Sequence, residues 1–296
     1  MKLNKLSPAV LLFSIILLVL FFSQTAAGQN IFTSEILAEF DGQTEEEAYI
    51  AVRGRVYDVT DIFEDGTHMG LEAGQDLTED LEDGPGVDIL EDMEQVGYYV
   101  EAAFTPELLA RFDGVEREEA YVAVDNLVYD VSEQFAGGTH EGHEAGQNLT
   151  DVFRDESPHD MDDLSDNDIV GLLVEESMTR AELSDYDAQN GSPMYTAVDG
   201  LIYDMADIGI WSEGEHFEHE AGEYLTQEIF DSPHGITVML DVPIAGALDD
   251  FLITVEENEE EERGFVYLAI IGVGIFAAVS GILLGIHAFR SVLRDI

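Results

Sequence analysis

The sequence predicts an α+β protein made of three tandem modules, each with a small sheet and several short helices, followed by one membrane-spanning helix. Two observations lead to this prediction. A twelve-residue, strand-like segment occurs three times at offsets of 72 and 74 residues, and 25 uncharged residues fill positions 264–288. The repeat indicates one folding unit used three times, and the uncharged run is long enough to cross a bilayer.

The repeated segment occupies residues 48–59, 120–131 and 194–205. Each copy has two short apolar runs around a two-residue turn, which is Arg-Gly, Asp-Asn or Asp-Gly. Apolar runs separated by such a turn are typical of a β-hairpin.

Helix signals and a second motif flank each hairpin. Upstream, Thr105-Pro106-Glu107 and the pair Thr179 and Glu182 are helix-start patterns, the second of them a capping box. Downstream, Ala-Gly-x-x-Leu-Thr recurs at 73–78, 145–150 and 221–226. Ser-Pro-His follows at 157–159 and 232–234, where serine as N-cap and proline at N1 predict a histidine in the first turn of another helix.

These repeats define module 1 as residues 31–100, module 2 as 101–175 and module 3 as 176–250. A module of roughly 70 residues buries only a small core by itself, so a bound cofactor would add stability. The chain has no cysteine, so no disulfide is available for this purpose.

The two termini predict export and anchoring. Lys2, Lys5 and the apolar run 9–22 predict a signal peptide over 1–27, with an uncleaved anchor as the alternative. An acidic linker, 251–263, precedes the membrane helix 264–288, and the tail 289–296 carries Arg290 and Arg294. The positive-inside rule then predicts a single-pass cell-membrane protein with its modules outside and its C-terminus in the cytoplasm.

The charge is strongly acidic, with 64 acidic against 11 basic residues and a net charge of −53. Such a surface repels nucleic acid, which excludes that class of partner. Because 46% of the residues are hydrophobic, the charge indicates a folded, halophile-like protein rather than a disordered one. At about 1 M salt the repulsion is screened within about 3 Å.

Seven of the eight histidines lie in the modules, at two recurring places. The first is a glycine-rich loop, occupied in the three modules by His68, His140 and His216. A second histidine follows three residues later at His143 and His219, where module 1 has Leu71. The other place is the Ser-Pro-His turn, with His159 and His234, where module 1 has Gly86. Neutral imidazole is a good iron ligand, and a zinc site built from His140, His143 and nearby carboxylates is the alternative.

Taken together, the hairpin motif, Gly-x-His, Ala-Gly-x-x-Leu-Thr and Pro-His-Gly resemble the cytochrome-b5-like haem/steroid-binding domains. The resemblance implies haem b held without covalent bonds, with His159 and His234 as axial ligands and a loop histidine opposite. His140 and His216 are favoured over His143 and His219, because that position is filled in every copy, but spacing leaves the choice open. Trp211, which the family often carries before the loop, occurs only in module 3. Module 1 is degenerate, so about two haems per chain are expected, with a third bound weakly at His68.

The function predicted from these features is one-electron transfer through bis-histidine haems outside the membrane. Its partners would be redox proteins at the outer membrane face and, through the C-terminal helix, the lipid bilayer. No nucleophile–base pair or paired carboxylates are apparent, so no enzymatic activity is predicted. The alternative function is non-redox binding of haem, of a steroid-like molecule or of another hydrophobic small molecule.

Overall fold

The computed structural model describes residues 29–43, 47–82, 90, 92–156 and 164–255. Residues 29–253 belong to one compact unit, and a second unit, Thr254–Ile296, is described only at its first two residues. The predicted signal peptide, the membrane helix 264–288 and the tail therefore lie outside the described residues, as does most of the acidic linker. Within the described ranges, no helix has the length and apolar character needed to cross a membrane.

Module 1 is a five-stranded sheet with two short helices. Its elements are β1 (Ile31–Phe32), α1 (Ser34–Ala38), β2 (Tyr49–Val52), β3 (Arg55–Asp58), β4 (Thr67–His68), β5 (Leu71–Glu72), β6 (Gln75–Asp76), α2 (Thr78–Glu82) and β7 (Gln95–Tyr99). The strand order in the sheet is β1-β7-β3-β2-β6, while β4 and β5 form a separate hairpin. The two outer pairs are parallel and the inner pairs antiparallel.

Modules 2 and 3 repeat this arrangement. Module 2 contains β8 (Ala103–Phe104), α3 (Pro106–Leu109), β9 (Tyr121–Val124), β10 (Leu127–Asp130), β11 (Thr139–His140), β12 (His143–Glu144), β13 (Gln147–Asn148), a π-helical turn (Val152–Glu156) and β14 (Ile169–Leu173). Module 3 contains β15 (Ser177–Met178), α4 (Arg180–Leu183), β16 (Tyr195–Val198), β17 (Leu201–Asp204), β18 (Glu215–His216), β19 (His219–Glu220), α5 (Thr226–Phe230), a 3₁₀ helix (Ile236–Met239), β20 (Ile244–Leu248) and a final 3₁₀ turn (Asp249–Phe251).

The sheet orders are β8-β14-β10-β9-β13 and β15-β20-β17-β16, which match module 1 strand for strand. In module 3 the fifth position is a single parallel bridge from Tyr224 to Ala197. The predicted α+β class is confirmed, and each sheet lies inside one predicted module.

The predicted hairpins are present, and their turns have the backbone that the sequence requires. In β2–β3, Val52 pairs with Arg55, so the turn is the two-residue pair Arg53-Gly54. Both residues have positive φ, 52° and 73°, and the same holds for Asp125-Asn126 and Asp199-Gly200. Two positive-φ residues match the right-handed twist of the strands, which is why Gly, Asn and Asp are favoured there.

The helix-start signals are also confirmed. Thr33, Thr105 and Thr179 each accept a hydrogen bond at the side chain from a backbone amide three residues later. Thr179 and Glu182 form the reciprocal capping box.

The motif Ala-Gly-x-x-Leu-Thr is structural. The amides of Leu77, Leu149 and Leu225 donate to the carbonyls of Ala51, Ala123 and Ala197, each at 2.8 Å. The threonine hydroxyls then accept from the first residue of the hairpin turn, at 2.8, 2.8 and 2.7 Å for Thr78, Thr150 and Thr226. In each module the motif follows the short hairpin that contains the Gly-x-His histidine (β4–β5, β11–β12 or β18–β19, here called the histidine hairpin). The motif therefore connects the end of that hairpin to the central sheet.

The three modules share one large cluster of buried apolar side chains, and modules 1 and 3 each have a smaller cluster of their own. One cluster of buried apolar side chains contains residues of all three, among them Phe32, Val122 and Val198. A polar contact joins modules 1 and 3, where the Thr33 hydroxyl donates to the Asp199 carboxylate. The start of the linker meets module 2 where the Ile253 amide donates to the Ala103 carbonyl at 2.9 Å. Shared burial offsets the small core of each module, so cofactor binding is not needed to explain why the modules fold.

The predicted helix start at Ser-Pro-His is wrong in module 3. Ser232, Pro233 and His234 form a turn after α5, and the 3₁₀ helix begins at Ile236 with Gly235 as its N-cap at φ 63°. The Ser232 hydroxyl lies 2.8 Å from the His234 Nδ1, so it contacts the imidazole and does not cap the helix. The corresponding residues of module 2, including His159, lie outside the described residues.

Candidate functional site

The segment read as a glycine-rich loop is a small β-hairpin in every module. β4–β5, β11–β12 and β18–β19 are two-stranded antiparallel pairs joined by two-residue turns. In modules 2 and 3 the register places His140 opposite His143 and His216 opposite His219. Directly opposed residues project from the same face of an antiparallel pair, so each pair of imidazoles shares one side of its hairpin. In module 1 the residue opposite His68 is Leu71.

An aromatic ring packs against the first histidine of every hairpin. The ring centroids are 5.6 Å apart for Phe63 and His68, 5.4 Å for Phe135 and His140, and 5.6 Å for Trp211 and His216. Interplanar angles of 37°, 40° and 33° show the same geometry in the three modules. The aromatic ring is therefore common to all modules, although tryptophan occurs only in module 3. In each module the aromatic residue lies five positions before the first histidine of the hairpin, and this spacing would have identified Phe63 and Phe135 in the sequence.

His216 has a defined tautomer. Its Nδ1 lies 3.1 Å from the carbonyl oxygen of Ile210. A carbonyl only accepts hydrogen bonds, so Nδ1 must carry the proton and the neutral ring keeps its lone pair on Nε2. A histidine bonded to a backbone carbonyl in this way is oriented to bind a metal through Nε2.

His234 lies on the turn between α5 and the 3₁₀ helix, and its side chain is exposed. Its ring contacts Ser232, and within the described residues no hydrogen bond or ring contact joins it to His216 or His219. The structure therefore brings His216 and His219 together, and it leaves His234 on a separate segment of the same module.

Exposed apolar side chains surround the predicted ligands. Met69 and Phe217 follow the first histidine of their hairpins and are 85% and 91% exposed. Ile210, also exposed, supplies the carbonyl that holds His216, and Val238 lies in the 3₁₀ helix after His234. Val115 reaches the hairpin of module 2, because a Cβ on Gly138 would come within 2.5 Å of its Cγ2. Large apolar side chains exposed beside one recurring motif mark a surface that binds an apolar partner or ligand.

This donor set fits haem better than zinc. In the part of the chain that the structure describes, no group of three or more His, Cys, Asp or Glu side chains is placed to hold a metal ion. Zinc needs about three firm protein ligands, whereas haem iron needs only one imidazole on each side and an apolar surround. His216, with its Nδ1 held by a carbonyl and Phe217 beside its ring, can supply one of these imidazoles.

One cavity of the described residues lies away from the histidines. It has a volume of about 780 Å³ and is lined by residues of modules 2 and 3, including Glu107, Glu175, Glu182 and Tyr186. Its carboxylates make it a poor surround for an apolar macrocycle.

Comparison with known proteins identifies the family of these modules. The family model described as Cytochrome b5-like Heme/Steroid binding domain matches residues 33–100. Two solved structures are similar, both named cytochrome b5 domain proteins. The protein from Hadesarchaea YNP_N21 is 35% identical over 25% of this chain and 97% of its own, with a TM-score of 0.24. The protein from Methanococcoides burtonii is 42% identical over 24% of this chain and 95% of its own, with a TM-score of 0.23. No match was found among curated proteins.

The family match begins at the Thr33 helix cap and ends just after β7, so it spans the sheet, the histidine hairpin and the aromatic ring of module 1. Both archaeal proteins are matched over nearly their whole length. The chain belongs to the cytochrome b5-like haem/steroid-binding domain family.

Proposed function

We propose that this chain is a membrane-anchored, extracytoplasmic b-type haem protein that transfers single electrons through bis-histidine haems in modules 2 and 3. The observation that carries the proposal is the geometry of His216. Its ring packs on Trp211 and its Nδ1 is tied to the Ile210 carbonyl, so Nε2 is the atom offered to a ligand.

Six residues of module 3 have a role in this proposal. His216 binds from the hairpin and His234 from the turn after α5. The exposed side chains of Ile210, Phe217 and Val238 cover the apolar ring system and exclude water from it. Trp211 and the Ile210 carbonyl keep the His216 ring in one orientation. When bound, haem supplies an iron that alternates between the ferric and ferrous states and so carries one electron.

The first histidine of each hairpin is the better ligand candidate. His140 and His216 pack against an aromatic ring, as His68 does, and that contact is common to all three modules. We assign His143 and His219 to the neighbouring position on the same hairpin face, where they shield the bound group. Module 2 would use His140 with His159, and module 1 would hold a third haem only weakly, through His68.

Location and partners follow from the charge distribution. An acidic outer part, the predicted membrane helix over 264–288 and the two arginines after it support a location of the modules outside the cell membrane. Redox proteins at that face would exchange electrons with the modules, and nucleic acid would be repelled. We propose no catalytic activity beyond electron transfer.

A second function deserves a test because the apolar residues around the histidines are exposed. The same modules would bind haem for storage, or a steroid-like or other hydrophobic molecule, without redox exchange. Module 1 keeps the hairpin and has the exposed Met69 on it, although it has Leu71 and Gly86 in place of histidines, which favours a role for the apolar surface by itself.

A haem titration of the full chain distinguishes these functions. Trp211 is the only tryptophan and packs on His216, so haem bound in module 3 quenches its fluorescence most strongly. We expect two equivalents of haem with a low-spin visible and electron paramagnetic resonance spectrum, and reversible one-electron reduction in a potentiometric titration. Quenching without a low-spin spectrum would establish binding without bis-histidine ligation. No quenching and no haem spectrum would refute the proposed function.

A further inference from the structure

At four positions one module has a different type of residue from the other two. These four residues lie at the contact between modules 1 and 2. Module 1 has Arg55 where the others have Leu127 and Leu201, and Tyr98 where they have Leu172 and Ala247. Module 2 has two polar residues at positions that are apolar in the others. Asn167 replaces Met93 and Val242, and Gln134 replaces Ile62 and Ile208.

Arg55 reaches from module 1 into module 2. Its side chain is buried, and its guanidinium donates to the carbonyls of Asn167 at 2.9 Å and Leu164 at 2.7 Å, and to that of Arg53 at 3.0 Å. Burial raises the pKa of the neighbouring Tyr129 to about 12, so that phenol is uncharged at neutral pH. Three backbone carbonyls therefore solvate the charge of Arg55.

The segment that Arg55 binds, residues 164–169, contacts the turn that leads into the histidine hairpin of module 2. The Asn167 side-chain amide, also buried, donates to the Asp130 carbonyl at 2.6 Å and to Gln134 Oε1 at 3.3 Å. The next residue along the chain is Phe135, which packs against His140. A continuous chain of contacts thus runs from Arg55 through Asn167 and Gln134 to the His140 position.

Module 3 has no equivalent of this chain. The backbone contact is the same, since Asp130 and Asp204 donate to the carbonyls of Asp168 and Pro243, both at 2.9 Å. The side chains at the positions of Gln134 and Asn167 are Ile208 and Val242, which belong to the apolar cluster. The turn before Trp211 therefore adds two apolar side chains to the shared cluster, whereas the turn before Phe135 also makes polar contacts that lead to a buried charge of another module.

We propose that Arg55 is a positioning residue for module 2: module 1 orders the segment 164–169 and, through Asn167 and Gln134, the hairpin that carries His140. Module 1 would then support ligand binding by its neighbour in addition to any binding of its own. The inference rests on the proposed haem-binding function of module 2.

The main test replaces Arg55 by the leucine that the other modules carry. Arg55→Leu leaves the Asn167 carbonyl without its guanidinium donor and the Leu164 carbonyl with only the Asn167 amide, so the competent conformation of module 2 is less populated. Apparent affinity falls in proportion to that population. We expect the second haem equivalent of the full chain to bind at least about tenfold more weakly, since several hydrogen bonds are lost. The affinity of module 3 for its haem should not change.

Two further variants separate positioning from general stability. Asn167→Val introduces the module 3 residue and should weaken the same haem equivalent without any change in module 1. Its effect and that of Arg55→Leu should combine less than additively, because both break one chain of contacts. Arg53→Leu is the matched control. It removes a charge from the same contact, where Arg53 lies 3.7 Å from Asp168, and should change haem affinity less than twofold.

Amide hydrogen exchange of the haem-free protein gives a second readout. In Arg55→Leu the amide of Phe135, bonded to the Val131 carbonyl, should exchange about tenfold faster. The amide of Trp211, bonded to the Ile208 carbonyl, should be unaffected. If Arg55→Leu fails to fold, Asn167→Val carries the test.

Equal affinity and equal exchange in both variants would overturn the inference. A wild-type chain that binds no haem would instead refute the proposed function, and exchange at Phe135 would then decide the positioning role by itself.

Discussion

Modules 1 and 3 share one scaffold and differ in the groups placed on it. Both have the same strand order, a type of hairpin turn with two positive φ values, and an aromatic ring packed on the first hairpin histidine. Module 3 adds His219 opposite His216 and His234 on the following turn, whereas module 1 has Leu71 and Gly86 at those places. The fold is therefore maintained by contacts that do not involve the second and third histidines.

Module 1 also differs at a residue that contacts a neighbouring module. Arg55 replaces a core leucine and binds module 2. A second contact, from Thr33 of module 1 to Asp199 of module 3, uses a helix-cap threonine that all three modules have. Module 1 thus has fewer candidate ligands than modules 2 and 3, and it makes polar contacts to both of them. The candidate ligands therefore vary between modules independently of the contacts that maintain the fold. The following substitutions test this independence.

The largest expected effect comes from His234→Ala. Loss of one of the two imidazoles of module 3 should reduce the number of low-spin haems from two to one, measured by electron paramagnetic resonance and by pyridine haemochrome assay. His68→Ala is the control in module 1 and should leave both low-spin haems in place. Two low-spin haems in His234→Ala would show that module 3, like module 1, does not use this position.

The next change transfers the hairpin of module 1 to module 3. His219→Leu reproduces the pair formed by His68 and Leu71, and should retain a low-spin haem with affinity lowered by less than about tenfold, since only shielding is lost. His216→Leu removes the assigned ligand and should abolish the low-spin signal of module 3. The opposite pattern in Trp211 quenching and in the spectrum would reassign the axial position to His219.

A smaller effect is expected from a buried hydroxyl. Thr196 of module 3 is 1% exposed and its hydroxyl has no hydrogen-bond partner among the described residues, whereas the equivalent residues are Ile50 and Val122. Thr196→Val should raise the free energy of unfolding of the haem-free protein by about 1 kcal/mol, or the melting temperature by about 2–4 °C.

The reverse change, Val122→Thr, is the matched variant and should lower stability by a similar amount. An unchanged melting temperature for Thr196→Val would mean that the hydroxyl is satisfied by water.

The smallest effect concerns the contact of modules 1 and 3. The neighbouring carboxylate of Asp199 raises the pKa of Glu35 above its ordinary value of 4.5. An acid with a raised pKa in the folded state binds its proton more tightly there, so its stabilising contribution is present at low pH and is lost as the pH rises through that pKa. Glu35→Gln should therefore raise the melting temperature by about 1 °C at pH 7 and have no effect at pH 3.

The control for this prediction is Glu107→Gln, the equivalent position of module 2, which should change nothing at either pH. Added salt should reduce the effect at pH 7, because screening weakens the repulsion between Glu35 and Asp199. A larger gain at pH 3 than at pH 7 would contradict the assigned cause.

Local elements of this fold were accessible from the sequence because their causes are local. The turns Arg53-Gly54, Asp125-Asn126 and Asp199-Gly200 need residues that tolerate positive φ, and the caps Thr105 and Thr179 need a hydroxyl before a helical run. Each signal acts within a few residues and appears in more than one module. The predicted helix start at Ser232 was wrong because the Ser232 hydroxyl contacts the His234 ring and does not cap the helix.

By itself, the sequence determined the repeat, the α+β class, the hairpins and the histidines as candidate ligands, since spacing and residue type are sufficient for these. Tertiary structure alone decided that the three modules share one core, that Arg55 is buried against module 2, and that the hairpin histidines lie as pairs on one face. Those features depend on contacts between residues far apart in the chain, such as Arg55 and Asn167, whose meeting depends on the packing of whole sheets. No local pattern encodes that packing, because side chains of equal polarity are compatible with many arrangements of the same elements.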